Sequence, residues 1–370
     1  MGIVLIKTLR ICKSLEANMY RRNGLVVAQA LLLGLALMVF ACGCAVNETY
    51  VTSGGRPSGP IVMRVSSSQN ADAFDAGRQA AQSLAKQMGQ TAPHAVILTE
   101  CFEDAAQKKQ VLNGVCSVFG KDVVFGFATY GSFSQQGCLE TDSVGLLGIG
   151  GEGIGVAAAL KRDMGIGGLN MAENEEELSS RLRSAGSELA KKLQRKNDDR
   201  LLLLMADAHS PKNQFLVEGV QEVMGKDFAI TGGSANKNAG QTFVYFQGRM
   251  YTDSAIALLL AGDFEVSLAG RQAKENAKVI SSAAEGCSEA LKNIKAKPFS
   301  VLAFNCAGRK GKLNNIADEL KAIQGVTGKS VPLFGAYCAG EIGPADIASR
   351  DETAVSSGAG WHVMFTVLGR

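Results

Sequence analysis

Three stretches of the chain repeat one alternation of apolar and polar positions. In the first, Phe74, Gly77, Ala81, Leu84 and Met88 recur at helical spacing and Ala95-Val96-Ile97-Leu98 reads as a buried strand. A short helix is expected over about 104–112, and Val123-Val124-Phe125 then runs into Gly126. In the second, Leu178, Leu182, Ala185, Leu189 and Leu193 form one apolar face. That helix opens with Glu175-Glu176-Glu177 and closes with Lys191, Lys192, Arg195 and Lys196, the charge order its macrodipole favours. A strand at Leu201-Leu202-Leu203-Leu204-Met205, a helix near 213–224 and Phe228-Ala229-Ile230 into Gly232-Gly233 follow. In the third, a helix over about 273–292 precedes Val301-Leu302-Ala303-Phe304, a helix near 313–323 and Val331-Pro332-Leu333-Phe334 into Gly335.

Further strands are expected over 143–149, 242–247, 255–260 and 361–368. Continuous apolar strands alternating with helices require sheets covered on their faces. The expected fold class is therefore α/β, with layered mixed and parallel sheets, covering helices and about three repeated α-β-α-β units.

The N-terminus departs from this pattern. Arg21 and Arg22 precede an apolar run from Leu25 to Ala41, broken by Gln29 and followed by Cys42-Gly43-Cys44. This reads as a secretory signal over 1–41, with Met1 or Met19 as the start. Val39-Phe40-Ala41-Cys42 has the form of a lipoprotein box, which makes Cys42 the expected acylated residue and Cys44 the second choice. A single transmembrane anchor is the competing reading. Thr52-Ser53-Gly54-Gly55-Arg56-Pro57-Ser58-Gly59-Pro60 makes 42–60 an expected lipid-anchored flexible linker, with folded protein beginning near Ile61.

Charge changes with that cleavage. Five of the 38 Lys and Arg residues and one of the 35 Asp and Glu residues precede residue 42, so the rest is close to neutral and lacks an electrostatic footprint for nucleic acid. Beyond Cys44, six cysteines remain, and no spacing forms a metal knuckle or a redox CxxC motif. At most one or two disulfides are expected, and no cofactor is implied.

The third repeat carries the most specific local pattern. Phe304-Asn305-Cys306-Ala307-Gly308-Arg309 is followed by Gly335-Ala336-Tyr337-Cys338-Ala339-Gly340-Glu341-Ile342-Gly343-Pro344. These residues resemble the FIST C-terminal domain, which has a Cys-x-Gly-Arg element after one strand and Gly-Glu-Ile after the next. Phe125-Gly126-Phe127-Ala128-Thr129-Tyr130-Gly131 and Ile230-Thr231-Gly232-Gly233-Ser234-Ala235 look like the glycine turns of the FIST N-terminal domain. Ser132 replaces the acidic residue expected after Gly131, and the segment 263–273 is shorter than the family usually shows. The resemblance sets an N-terminal-like domain over 61–255 and a C-terminal-like domain over 256–370.

It also implies a non-enzymatic sensory protein that binds a small ligand such as an amino acid and signals through an unidentified protein partner. The expected ligand-binding residues are Asn305, Cys306, Arg309, Gly335, Gly340, Glu341, Gly126, Gly131, Gly232 and Gly233. Glycine turns at strand ends let a ligand approach backbone N–H groups. Arg309 and Glu341 match the carboxylate and ammonium of a zwitterion, unless they pair with each other and brace their loops. The expected location is the cell envelope, held to a membrane by the N-terminal lipid and facing the periplasm or exterior.

Two other readings stay open: an envelope scaffold, and a nucleotide- or thiol-dependent enzyme. The enzyme would use Gly148-Ile149-Gly150-Gly151-Glu152-Gly153, which is also readable as a hairpin turn, or Cys306 activated by Arg309. Asp207, His209 and Ser210 are too close in sequence to act as a catalytic triad and fit a loop before a helix. With three histidines, a multi-histidine zinc site is not expected.

Overall fold

Each predicted repeat folds into the same module of four long strands and two long helices. The computed structural model describes residues 47–370 apart from 53, 54, 57 and 239. The expected export segment 1–41 and both candidate acylation sites, Cys42 and Cys44, lie outside the described residues.

A short edge strand, β1 (Thr49–Val51), comes first. The first module is β2 (Val62–Gln69), α1 (Ala73–Met88), β3 (Pro93–Cys101), α2 (Ala105–Phe119), β4 (Val124–Ala128), the small strands β5 (Ser132–Ser134) and β6 (Gly137–Leu139), and β7 (Ser143–Gly150). The second is β8 (Ile154–Lys161), α3 (Glu175–Leu193), β9 (Asp199–Ala206), α4 (Asn213–Met224), β10 (Ile230–Ser234), the hairpin of β11 (Lys237–Asn238) and β12 (Gln241–Thr242), then β13 (Val244–Phe246), β14 (Arg249–Tyr251) and β15 (Ala255–Gly262). The third is β16 (Glu265–Gln272), α5 (Asn276–Asn293), β17 (Pro298–Cys306), α6 (Ala307–Lys310), α7 (Ile316–Thr327), β18 (Leu333–Cys338), β19 (Glu341–Gly343), β20 (Ser357–Ala359) and β21 (His362–Gly369).

The strand order is the same in all three modules: β2-β7-β3-β4, β8-β15-β9-β10 and β16-β21-β17-β18. Only the last two strands of each set run parallel. Each sheet is buried on both faces, which explains the unbroken apolar runs. On the outer face, Val96 and Leu98 pack under Ala76, Ala80, Leu84 and Met88 of α1, and the other two modules repeat this with their own helices. On the inner face the sheets meet one another. The rings of Phe127 and Phe304 lie 6.4 Å apart, and the hydroxyl of Thr366 donates to that of Thr231 at 2.8 Å.

The modules exchange short strands in a cycle: β13 of the second pairs with β4 of the first, β19 of the third with β10 of the second, and β5 of the first with β18 of the third. At each exchange two loops trade reciprocal backbone bonds. Ala128 N–H donates to Phe243 O and Asn236 N–H to Ala128 O; Ser234 N–H donates to Gly340 O and Ala339 N–H to Ser234 O; Tyr337 N–H donates to Gly131 O and Tyr130 N–H to Tyr337 O. Each parallel pair thereby gains a cover over its open edge.

Three expectations change. The linker 42–60 contributes structure, because β1 pairs with β8 and Glu48 forms ion pairs with Arg162 at 2.8 Å and Lys192 at 2.6 Å. Residue 255, the expected domain boundary, opens β15, which is bonded on both sides by β8 and β9, so no break in structure falls there. The segment 148–153 is neither a phosphate loop nor a hairpin: it carries the chain from β7 in one sheet to β8 in another, and 156–160 is strand rather than helix.

Candidate functional site

The polypeptide leaves each parallel pair through a segment that is closed in two modules and open in one. In the first module the Glu100 carboxylate, 1% exposed, accepts from Lys108 Nζ at 3.0 and 3.2 Å, from Tyr245 Oη at 2.5 Å and from Phe102 N–H at 2.9 Å. In the third, the guanidinium of Arg309 is fully buried. It donates to Asn305 Oδ1 at 3.0 Å, Ser282 Oγ at 3.2 Å, Val279 O at 2.9 Å and Glu319 Oε1 at 2.7 Å. Asn305 Nδ2 completes the cluster by donating to Glu319 Oε2 at 2.8 Å.

Among the described residues, the second module has no such plug. Beyond the ends of β9 and β10 lies a cleft of about 650 Å³, walled by loops that include Asp207, His209, Lys212, Lys237, Thr242 and Asp253. This is where parallel strand ends in layered folds ordinarily receive ligands. Asp253, at φ 46°, builds one wall by accepting Gly165 N–H at 2.7 Å and Ile166 N–H at 3.1 Å. The Asp207 carboxylate accepts Asp253 N–H at 3.0 Å.

Burial raises the Asp207 carboxyl above its usual range, opposed by the Asp253 N–H and by His209. Burial lowers the His209 imidazole, opposed by Asp207 and by a backbone bond at Ala235, while Lys212 and Lys237 lower it further. Its Nε2 has no hydrogen-bond partner among the described residues. The cleft thus offers the Asp207 carboxylate and the His209 imidazole, with two ammonium groups and the Asp253 carboxylate in its walls.

The residues expected at the site lie elsewhere. Arg309 is spent on Glu319 and protein oxygens, so it neither grips a ligand carboxylate nor pairs directly with Glu341. Asn305 is consumed in the same cluster. Glu341 is fully buried, accepts His362 N–H at 3.1 Å, and leaves Oε1 without a partner among the described residues. Burial pushes its carboxyl well above the usual range, with the His362 N–H acting against it. Cys306 is not activated by Arg309, since burial pushes its thiol up to about 11. All six described cysteines are free, within the expected ceiling of one or two disulfides.

The expected glycines admit protein rather than ligand. A Cβ on Gly126 or Gly232 would lie 1.9 Å from the carbonyl oxygen of Leu98 or Leu204, one on Gly335 2.2 Å from the Phe133 ring, and one on Gly233 2.4 Å from Cys338 Sγ. Gly131 similarly faces Leu139 O at 2.4 Å and Gly340 faces Ser210 N at 2.8 Å. Ser132, in place of an acid, is buried in β5 opposite Ala336, where a carboxylate would be costly.

Sequence reasoning saw Asp207 and His209 but tested them only as a triad. Lys237, Thr242 and Asp253 were missed because they reach the cleft through contacts distant in sequence. The segment Asp207-Ala208-His209-Ser210-Pro211 was the available signal: polar residues directly after a buried strand.

A model of the FIST N domain matches residues 96–276, and one of the FIST C domain matches 257–344. The chain belongs to the FIST family. FIST domains are associated with sensory signal transduction. No curated protein sequence matches this FIST chain. Among solved structures, a cyanuric acid hydrolase described as an innovation by structural concatenation is similar at 10% identity and a TM-score of 0.43, covering 84% of this chain and 99% of its own. A cyanuric acid hydrolase from A. caulinodans is similar at 10% identity and a TM-score of 0.44, covering 83% and 99%.

Proposed function

We propose that this FIST protein is a small-ligand sensor whose site is the cleft of the second module. The reading rests on one observation: among the three pseudo-equivalent strand ends, the second holds two carboxylates, Asp207 and Asp253, and two ammonium groups around open space, where the first and third hold a closed ion pair. A zwitterion fits that set, its ammonium toward Asp207 and its carboxylate toward Lys212 and Lys237. An amino acid is the proposed ligand class, and binding rather than catalysis the proposed activity. The protein is further proposed to act in the cell envelope, anchored by lipid at Cys42 or Cys44 and passing its signal to a separate protein.

Calorimetry of the purified protein against an amino-acid panel tests the site. At least one amino acid should bind, and at one hundred times its Kd it should stabilise the fold by about 2.7 kcal/mol. Asp207→Asn and Lys237→Ala should each weaken it about tenfold or more without lowering the melting temperature of the free protein. Unchanged affinity in both variants, or a shift caused by dinucleotides and by no amino acid, sinks the reading.

A further inference from the structure

We propose that Cys306 and Cys338 form a dithiol–disulfide couple, oxidised by a low-molecular-weight disulfide that enters at Cys306. The two residues are register partners on the parallel strands β17 and β18. Parallel neighbours are about 4.8 Å apart, within the Cα separation that disulfides span, and register partners direct their side chains to one face. On that face Cys338 Sγ occupies space left by Gly233, on β10 of the neighbouring sheet.

The two thiols are not equally accessible. Cys306 ends β17 and is 9% exposed, whereas Cys338 is fully buried. The order of attack follows: Cys306 meets the external disulfide and Cys338 resolves it. A buried carboxyl shares the surroundings of the two thiols. Glu341 is fully buried beside both thiols, and its Oε1 has no hydrogen-bond partner among the described residues. Burial holds that carboxyl in its protonated form, so the thiol protons pass to the departing R–S⁻ rather than to Glu341.

In the first step Cys306 gives up its proton and its sulfur attacks R–S–S–R, forming a Cys306–S–S–R bond and releasing one R–S⁻, which is protonated to R–SH. In the second step Cys338 gives up its proton and attacks the Cys306 sulfur, releasing the second R–SH. The two thiols lose two electrons and two protons in total, and R–S–S–R is reduced to two R–SH.

The bond would tie down the ends of β17 and β18 just before the loop that reaches the second module. There Ser210 N–H donates to Ala339 O at 3.2 Å, and Ser234 N–H donates to Gly340 O at 2.8 Å. Ser210 adjoins His209 in the cleft wall, so the thiol state would be a second input to the same module.

Native protein incubated with oxidised glutathione, then denatured, alkylated and digested, tests the couple. The expected product is one peptide pair joined between Cys306 and Cys338, two hydrogens lighter and reversed by dithiothreitol, with Cys287 still alkylated. Cys338→Ser should stop at a mixed disulfide on Cys306, and Cys306→Ser should leave Cys338 reduced. Full alkylation of both cysteines in the oxidised parent protein overturns the proposal, as does glutathione on Cys306 without the joined peptide. Neither of those results depends on a variant folding.

Discussion

The strand ends of the second module and of its two neighbours share one framework and end in opposite chemistry. In the first and third modules a cation turns inward and meets a carboxylate and protein oxygens: Lys108 with Glu100 and Phe102 O, and Arg309 with Glu319, Asn305 and Ser282. In the second, Lys212 and Lys237 stand around a cleft whose carboxylates and imidazole lack a matching plug among the described residues. A repeated fold can therefore keep two copies for rigidity and free the third for recognition, because a closed pair offers a ligand nothing and an open set offers it charge on both sides. The same contrast separates stability from function. A buried pair broken on one side strands a charge in low dielectric, whereas a wall residue already in contact with water loses little on substitution.

The largest expected effect breaks a plug. Glu319→Ala leaves the Arg309 guanidinium buried without its carboxylate and should cost about 3–5 kcal/mol in urea unfolding. Lys237→Ala in the cleft should cost less than about 0.5 kcal/mol. Equal costs would mean that the cleft is as structural as the plugs.

Next in size is a pair of glycines. Gly232 lies at φ 151°, and an added Cβ would meet Leu204 O at 1.9 Å, while Gly167, in the cleft wall, has nothing within 4 Å of such a Cβ. Gly232→Ala should lower stability by about 3 kcal/mol through strain and overpacking. Gly167→Ala should be near neutral. Denaturant midpoints of the two variants sharpen the contrast, and a costly Gly167→Ala would show that the wall is packed.

How far the sequence disclosed this division depended on the range of each interaction. The helices and long strands were legible because their signals are local: Leu178 to Leu193 repeat at helical spacing, and β9 is apolar from Leu201 to Ala206 because sheets cover it on one side and helices on the other. The period of about one hundred residues followed from the same signals. The exchange of β5, β13 and β19 was not legible, since three-residue strands have no measurable period and their partners lie in other modules. Arg309 suggested a ligand because its carboxylate is on α7, ten residues away across a turn, and nothing in the local pattern couples the two. The glycines carried true information about close approach, but what approaches is a carbonyl, a ring or a sulfur of the protein itself.

The smallest effect is a slope with pH at Asp207, and it bears on whether the cleft is poised for a cation. Burial raises this carboxyl in the folded protein, so its neutral form is favoured there relative to the unfolded chain. The sign follows from linkage: the contribution is fully present below the unfolded carboxylate range, near 3.9, and is lost as pH rises through the higher folded value. Asp207→Asn should therefore gain stability relative to the parent as pH rises above about 4, with a shallow slope because His209 and the Asp253 N–H oppose the burial. Affinity for an amino acid should move the other way in the parent, rising over the same window as the carboxylate forms, and should stay low in the variant. Melting curves and calorimetry over that window read both trends. A parent whose affinity is flat while Asp207 titrates would place the ligand's ammonium elsewhere in the cleft.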